Sequence, residues 1–104
     1  MPDEYAPKYR WRVTWPDPED AGSHKTDFSG WDGDVRIGRI RFEPNGLQKG
    51  TWQWSGLGPH VRERLLPHQS YEDTARKAAA MVEDYYERLM AHNGLEIRQP
   101  STGE

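Results

Sequence analysis

Apolar and polar residues alternate without a break over residues 9–15, YRWRVTW. Trp11, Val13 and Trp15 fall on one side, and Arg10, Arg12 and Thr14 on the other. Such period-two alternation in strand-favouring residues, stopped by Pro16, predicts a β-strand. A second alternating run, DVRIGRIRFE, occupies residues 34–43 and changes phase in the middle. Val35 and Ile37 share one side, Ile40 and Phe42 the other, with Gly38 at the switch. A bulge at Gly38 returns all four to the core side, because one extra residue resets the alternation. A Pro-Asn-Gly turn at 44–46 leads back into GTWQWS, residues 50–55, where Trp52 and Trp54 share a face. From Ser70 the period changes. Ala75, Ala78, Ala79, Val82, Tyr86, Leu89 and Met90 recur at helical spacing, predicting a helix over 71–92. Ser70 and Asp73 resemble a capping box, Glu72–Arg76, Asp73–Lys77 and Asp84–Arg88 are favourable i, i+4 pairs, and Asn93-Gly94 is a stop.

Between these elements, residues 16–33 are rich in Pro, Gly, Ser and Asp and read as a long loop. In the connection GLGPHVRERLLPHQ, Val61, Leu65 and Leu66 form one short helical turn between Pro59 and Pro67. The expected architecture is α+β: a three-stranded antiparallel meander (about 9–15, 34–43 and 50–55) with one face covered by a C-terminal helix (about 71–92). Residues 9–93 make a single domain, and 1–8 and 94–104 are flexible tails.

Composition changes this picture in one respect. Leu, Ile, Val and Phe together number only 15 in 104 residues, a share that by itself points toward disorder. The net charge of only -3, with five Trp and five Tyr, points the other way. Each large ring can bury roughly 150–250 Å². A small core of few, large side chains follows. Alanines on the helix leave room for Trp11, Trp15, Trp52 and Trp54 on the sheet. One helix does not easily cover four indoles, each with an N–H to satisfy, so one or two rings reach the open face or its edge. Trp31, in the loop, is the ring most open to solvent.

The chain has no cysteine, so disulfides and thiolate chemistry are excluded. No apolar run approaches the roughly 20 residues of a membrane span, and MPDEYAPKYR lacks the apolar stretch of a secretory signal. The expectation is a soluble, cytoplasmic protein with no membrane association. His24, His60, His68 and His92 are scattered without metal-ligand spacing. Ser23, His24 and Asp27 are neighbours in a loop, where a triad needs a rigid scaffold. The loop carboxylates do not follow the calcium-loop pattern. No catalytic, cofactor or metal set emerges, and the reading is of a non-enzymatic protein.

Two surfaces remain. Arg10, Arg12, Arg36, Arg39, Arg41 and Lys49 lie on the strands or their turn. With the bulge in place, Arg36 and either Arg39 or Arg41 join Arg10 and Arg12 on the uncovered face, where cations and aromatic rings grip nucleic acid. A solvated polar face is the plainer account, and the acidic balance of the chain favours it. The second surface is a protein-contact patch of Val61, Leu65, Leu66 and Trp31, serving an unknown protein partner or a homodimer.

IGRIRFEPNGLQKGTWQWS, followed by YEDTARKAAAMVEDYYERL, resembles small uncharacterised bacterial proteins. These share a Gly-Arg-Ile strand, a Gly-x-Trp-x-Trp strand and an Ala-rich closing helix. The resemblance spans about residues 31–92 and implies no activity. Three strands and a helix are also similar in architecture to the AP2-like, arm-type DNA-binding domains of phage integrases, whose open sheet face enters the major groove. That likeness implies DNA binding, although those domains lack this chain's acidic balance and long first loop. The leading expectation is a small interaction module, with nucleic-acid binding through the open face as the alternative.

Overall fold

The computed structural model describes residues 6–14, 26–59 and 61–97. Five antiparallel strands follow one another in sequence order: β1 (Arg10–Val13), β2 (Asp27–Asp32), β3 (Val35–Phe42), β4 (Trp52–Gly56) and β5 (Gln69–Glu72). The helix α1 (Ala75–His92) then crosses one face of the sheet. The class is therefore α+β with an antiparallel sheet and one C-terminal helix, as the pattern predicts, but with five strands rather than three. β2 lies inside the stretch read as loop, and β5 inside the stretch read as connection and helix start. Residues 15–25, including Trp15 and the carboxylates Asp17, Glu19 and Asp20, lie outside the described residues, as does His60.

The bulge is where the phase change of β3 places it. Gly30 pairs with Gly38 but Trp31 with Arg36, so Ile37 is the extra residue. As a result Ile37 and Ile40 are both buried, and Val35 packs against the same cluster.

The register also lines up residues far apart in sequence. Trp11 pairs with Gly30, Gly30 with Gly38, and Gly38 with Gly56. Three glycines thus form a row across β2, β3 and β4 on the helix side. A methyl group at Gly38 would stand 2.4 Å from Val82 Cγ1, and one at Gly56 would stand 2.3 Å from Tyr85 Cδ2. The row is a trough into which α1 sinks. This corrects the expected division of small and large. Along the first turns of α1, Ala75 and Ala79 face Trp11, Phe28 and Ile40 across an apolar cleft of about 290 Å³. Further on, the helix supplies the bulk and the sheet the small residues. Trp54 is fully buried, whereas Trp52 is half-buried against Phe28 and Phe42.

The helix begins later than expected. Thr74 is its N-cap, with Lys77 N donating to Thr74 Oγ1 at 3.1 Å, and Ser70 belongs to β5. Residues 61–68 form no helical turn. They are held instead by side chains of α1 and of the Asn93 that follows it. Glu63 N donates to Asn93 Oδ1 at 2.9 Å, Asn93 Nδ2 donates to Glu63 O at 2.8 Å, and the Tyr85 hydroxyl donates to Leu65 O at 2.9 Å. Packing extends into both stretches read as tails: Lys8 is bonded to α1, and Ile97 packs against the core cluster. Among the described residues no helix is long and apolar enough to cross a membrane.

Candidate nucleic-acid interface

Side chains alternate across a strand, so burying the Trp11–Gly30–Gly38–Gly56 row under α1 sends the neighbouring rows to the other face. One such row pairs Arg10 with Trp31 and Trp31 with Arg36. The next runs Arg12, Ser29, Arg39, Ser55, Gln69, and the third runs Asp27, Arg41, Gln53, Tyr71. All five strand arginines therefore share the uncovered face. Both Arg39 and Arg41 join it, not one of the two, because the bulge precedes both. Lys49 stands in the exposed turn between β3 and β4, off these rows.

The guanidiniums are not equivalent. Asp27, buried on this face, takes a fork-to-fork pair from Arg39: Nε to Oδ1 at 2.8 Å and Nη2 to Oδ2 at 2.5 Å. The bond to Asp27 holds the Arg39 pKa above its ordinary value, outweighing the opposing effect of burial. Arg41 donates to Gln53 Oε1 at 3.0 Å and lies 3.4 Å from Glu43. Arg36 has no carboxylate beside it among the described residues. Its Nε and Nη2 both donate to the buried Ser29 hydroxyl, at 3.1 and 2.9 Å, and that hydroxyl also shares a hydrogen with Thr14 Oγ1 at 2.9 Å. Arg10 and Arg12 are exposed and have no ion-pair partner among the described residues. Among the described residues the face thus carries five guanidiniums against two carboxylates, with Arg36 and Arg39 held in fixed positions by buried partners.

Two hollows lie on it. One of about 530 Å³ is bounded by Arg12, Thr14, Ser29, Trp31, Arg36 and Arg39. The other, of about 330 Å³, is bounded by Arg39, Arg41, Gln53, Ser55 and Gln69, and the two meet at Arg39. The second hollow is amide and hydroxyl in character. Its Gln53, Ser55 and Gln69 were not singled out in the sequence, and no local signal could have done so, because their alignment depends on pairing between strands.

The expected protein-contact patch is not brought together. Val61 and Leu65 pack against the core beside α1, Leu66 is 75% exposed, and Trp31 is half-buried on the opposite, open face.

A buried acid cluster also escaped the pattern. Glu83 of α1 is fully buried and accepts from Lys8 N, Tyr9 N and the Trp11 indole N–H at 3.0, 3.2 and 2.9 Å. Glu87 accepts from Lys8 Nζ at 3.0 Å and from the Tyr9 hydroxyl at 2.9 Å. Burial first, then the bond to the Glu87 carboxylate, raises the Tyr9 pKa. Asp32, also fully buried, accepts from the Tyr86 hydroxyl. Each of these carboxylates meets donors of the chain itself, so the cluster is a clamp tying β1 and β2 to the helix. Among the described residues no three His, Asp or Glu side chains are grouped to hold a metal ion.

No family model matches the chain, and neither the curated proteins nor the solved structures hold a significant match.

Proposed function

We propose that this chain is a non-enzymatic interaction module that binds nucleic acid on the open arginine face of its sheet. The observation that carries the reading is the gathering of Arg10, Arg12, Arg36, Arg39 and Arg41 on one uncovered face, the first three without a carboxylate partner among the described residues. A solvated face needs polarity, not one sign of charge. Here the sign is concentrated although the whole chain carries a net charge of -3. Guanidinium is also the cation best matched to phosphate, through its planar fork of donors.

Binding of this kind is driven by counterion release, and its salt dependence counts the cations engaged. Three guanidiniums without a carboxylate partner among the described residues give a slope of log affinity against log salt of about -2 for a single strand. Between 50 and 200 mM salt the affinity then falls roughly 20-fold. Anisotropy of labelled mixed-sequence oligonucleotides measures this directly, and Arg12→Ala with Arg36→Ala flattens the slope. Absence of binding at 50 mM salt, or a slope that ignores the double substitution, overturns the reading.

A second reading is self-association or a protein partner. The exposure of Leu66 favours it, but single exposed apolar side chains are ordinary on a surface, and Leu47 is exposed as well.

A further inference from the structure

We infer that the ligand of this face is single-stranded nucleic acid, with one unpaired base stacked on Trp31 in the hollow between β1, β2 and β3. The inference rests on the nucleic-acid reading above and adds to it the form of the ligand.

The width of the face is the first ground. Five strands at a spacing of about 4.8 Å span roughly 19 Å. The major groove of B-DNA is about 12 Å wide and admits a helix or a two-stranded ribbon. Had the sheet three strands, as the pattern predicted, its face could enter the groove. With β2 and β5 added it cannot, and among the described residues no helix projects from this side. A duplex would meet the arginines with its phosphates alone, leaving Trp31 and the glutamines with nothing to contact. A single strand can lay both its phosphates and its bases on such a surface.

The placement of Trp31 is the second ground. In register it stands between Arg10 on β1 and Arg36 on β3, one cation on each side of one ring. Among the described residues no other ring and no guanidinium stacks on it, and it is one of the side chains that line the hollow. That hollow, about 530 Å³, is within the range that seats small organic ligands. A base on the indole keeps its flanking phosphates near Arg10, Arg12 and Arg36. Arg36 is already fixed by its two bonds to Ser29, so little rotamer freedom remains to be lost on binding.

The third ground is continuity. From Arg39 the surface passes into the second hollow, where Gln53 and Gln69 present amides able to both donate and accept. A strand running from β1 toward β5 thus meets a stacking platform first and hydrogen-bonding groups after it. At the 3.4 Å rise per nucleotide of a B-form strand the track holds no more than about five or six nucleotides.

The test compares one oligonucleotide of about a dozen nucleotides, within the range of known single-strand sites, with the duplex of the same sequence. Parent, Trp31→Ala, Trp31→Phe and Trp31→Leu proteins are titrated at matched salt, each first shown to be folded by thermal melting. The parent is expected to bind the single strand about tenfold or more tightly than the duplex. Loss of one stacked base weakens single-strand binding by about tenfold or more. Trp31→Ala and Trp31→Leu therefore lose that factor, Trp31→Phe keeps most of it, and duplex binding is unchanged in all three. If Trp31→Ala does not fold, the contrast of Phe with Leu, similar in bulk but different in π-face, decides alone. Equal affinity for both forms, or equal loss on both, overturns the single-strand inference while leaving phosphate binding intact. No binding of either form at low salt overturns both.

Discussion

Tyr85 lies on Gly56 with no room for even one more carbon: a methyl group there would stand 2.3 Å from Cδ2 of the ring. The contact sets how closely α1 approaches β4. Tyr85 is fully buried and its hydroxyl reaches through to Leu65 O, so the ring cannot swing aside without giving up that bond. Gly38 is as tightly held, between Val82 and the backbone oxygen of Ser55. Overpacking usually costs about 1–3 kcal/mol, and here both obstacles are rigid. Gly56→Ala and Gly38→Ala are each expected to lower stability by at least the upper part of that range, as read by denaturant unfolding. Leu47→Ala, at a fully exposed turn position, is the silent control. Glycine variants that match the parent would mean that the helix does not rest in this trough.

The same row shows where the sequence was legible and where it was not. The bulge at Gly38 could be read because its signal is local, a change of phase within one apolar run. α1 could be read because its period is long and its alanines are regular. β2, DFSGWD, was hidden because half of its residues are polar and still buried. Asp27 is satisfied by Arg39, Ser29 by Arg36, and Asp32 by Tyr86, all partners that the sequence does not place beside them. β5 has four residues, too few for a period, and it is recognisable only through its pairing with β4. The arginine face was half legible for the same reason: which strand positions face outward follows from alternation, but which ones align follows from register. The burial of Trp54 was foreseen; that its indole N–H has no hydrogen-bond partner among the described residues was not.

Glu83 is the hinge of the polar clamp. Replacing it with Ala leaves the N–H groups of Lys8, Tyr9 and Trp11 without their acceptor. Bonds to a charged acceptor are worth about 1.5–3 kcal/mol each, and an orphaned buried donor costs about 1–3 kcal/mol. Glu83→Ala should therefore destabilise by roughly 3 kcal/mol or more, close to the margin of a small domain. Glu83→Gln, which keeps one acceptor oxygen, should lose less. Hydrogen exchange of the Tyr9 amide provides a local check. If that amide stays protected in Glu83→Ala, the clamp is not what holds β1.

Tyr9 gives the fold a sensitivity to alkali. Burial, and then the carboxylate of Glu87, raise its pKa above the ordinary phenol value. The folded chain therefore holds the phenolic proton more tightly than the unfolded chain does. The stability from this difference is complete below about pH 10, the unfolded phenol value, and is lost as pH rises through the folded one. Melting temperature should fall steeply above about pH 10. Tyr9→Phe should be less stable at neutral pH, having lost the bond to Glu87, yet show a shallower alkaline decline. Parallel alkaline declines in the two proteins would remove Tyr9 as the cause.

Leu65 and Leu66 are adjacent, and the structure gives them opposite fates. Leu65 packs against the core cluster, and its carbonyl accepts from the Tyr85 hydroxyl. Leu66 is 75% exposed. The sequence places both in one expected protein-contact patch. Their separation makes a core role and an interface role testable one residue at a time. Leu65→Asp puts a carboxylate where a side chain is packed, and the melting temperature should drop sharply whatever the protein binds. Leu66→Asp removes exposed apolar surface, and in an isolated domain stability should stay within about 0.5 kcal/mol of the parent. Sedimentation completes the comparison. If the open arginine face is the working surface, parent and Leu66→Asp should sediment alike and bind oligonucleotide with equal affinity. A parent that sediments as a dimer, and a Leu66→Asp protein that sediments as a stable monomer, would shift the working surface from the sheet to the β4–β5 connection.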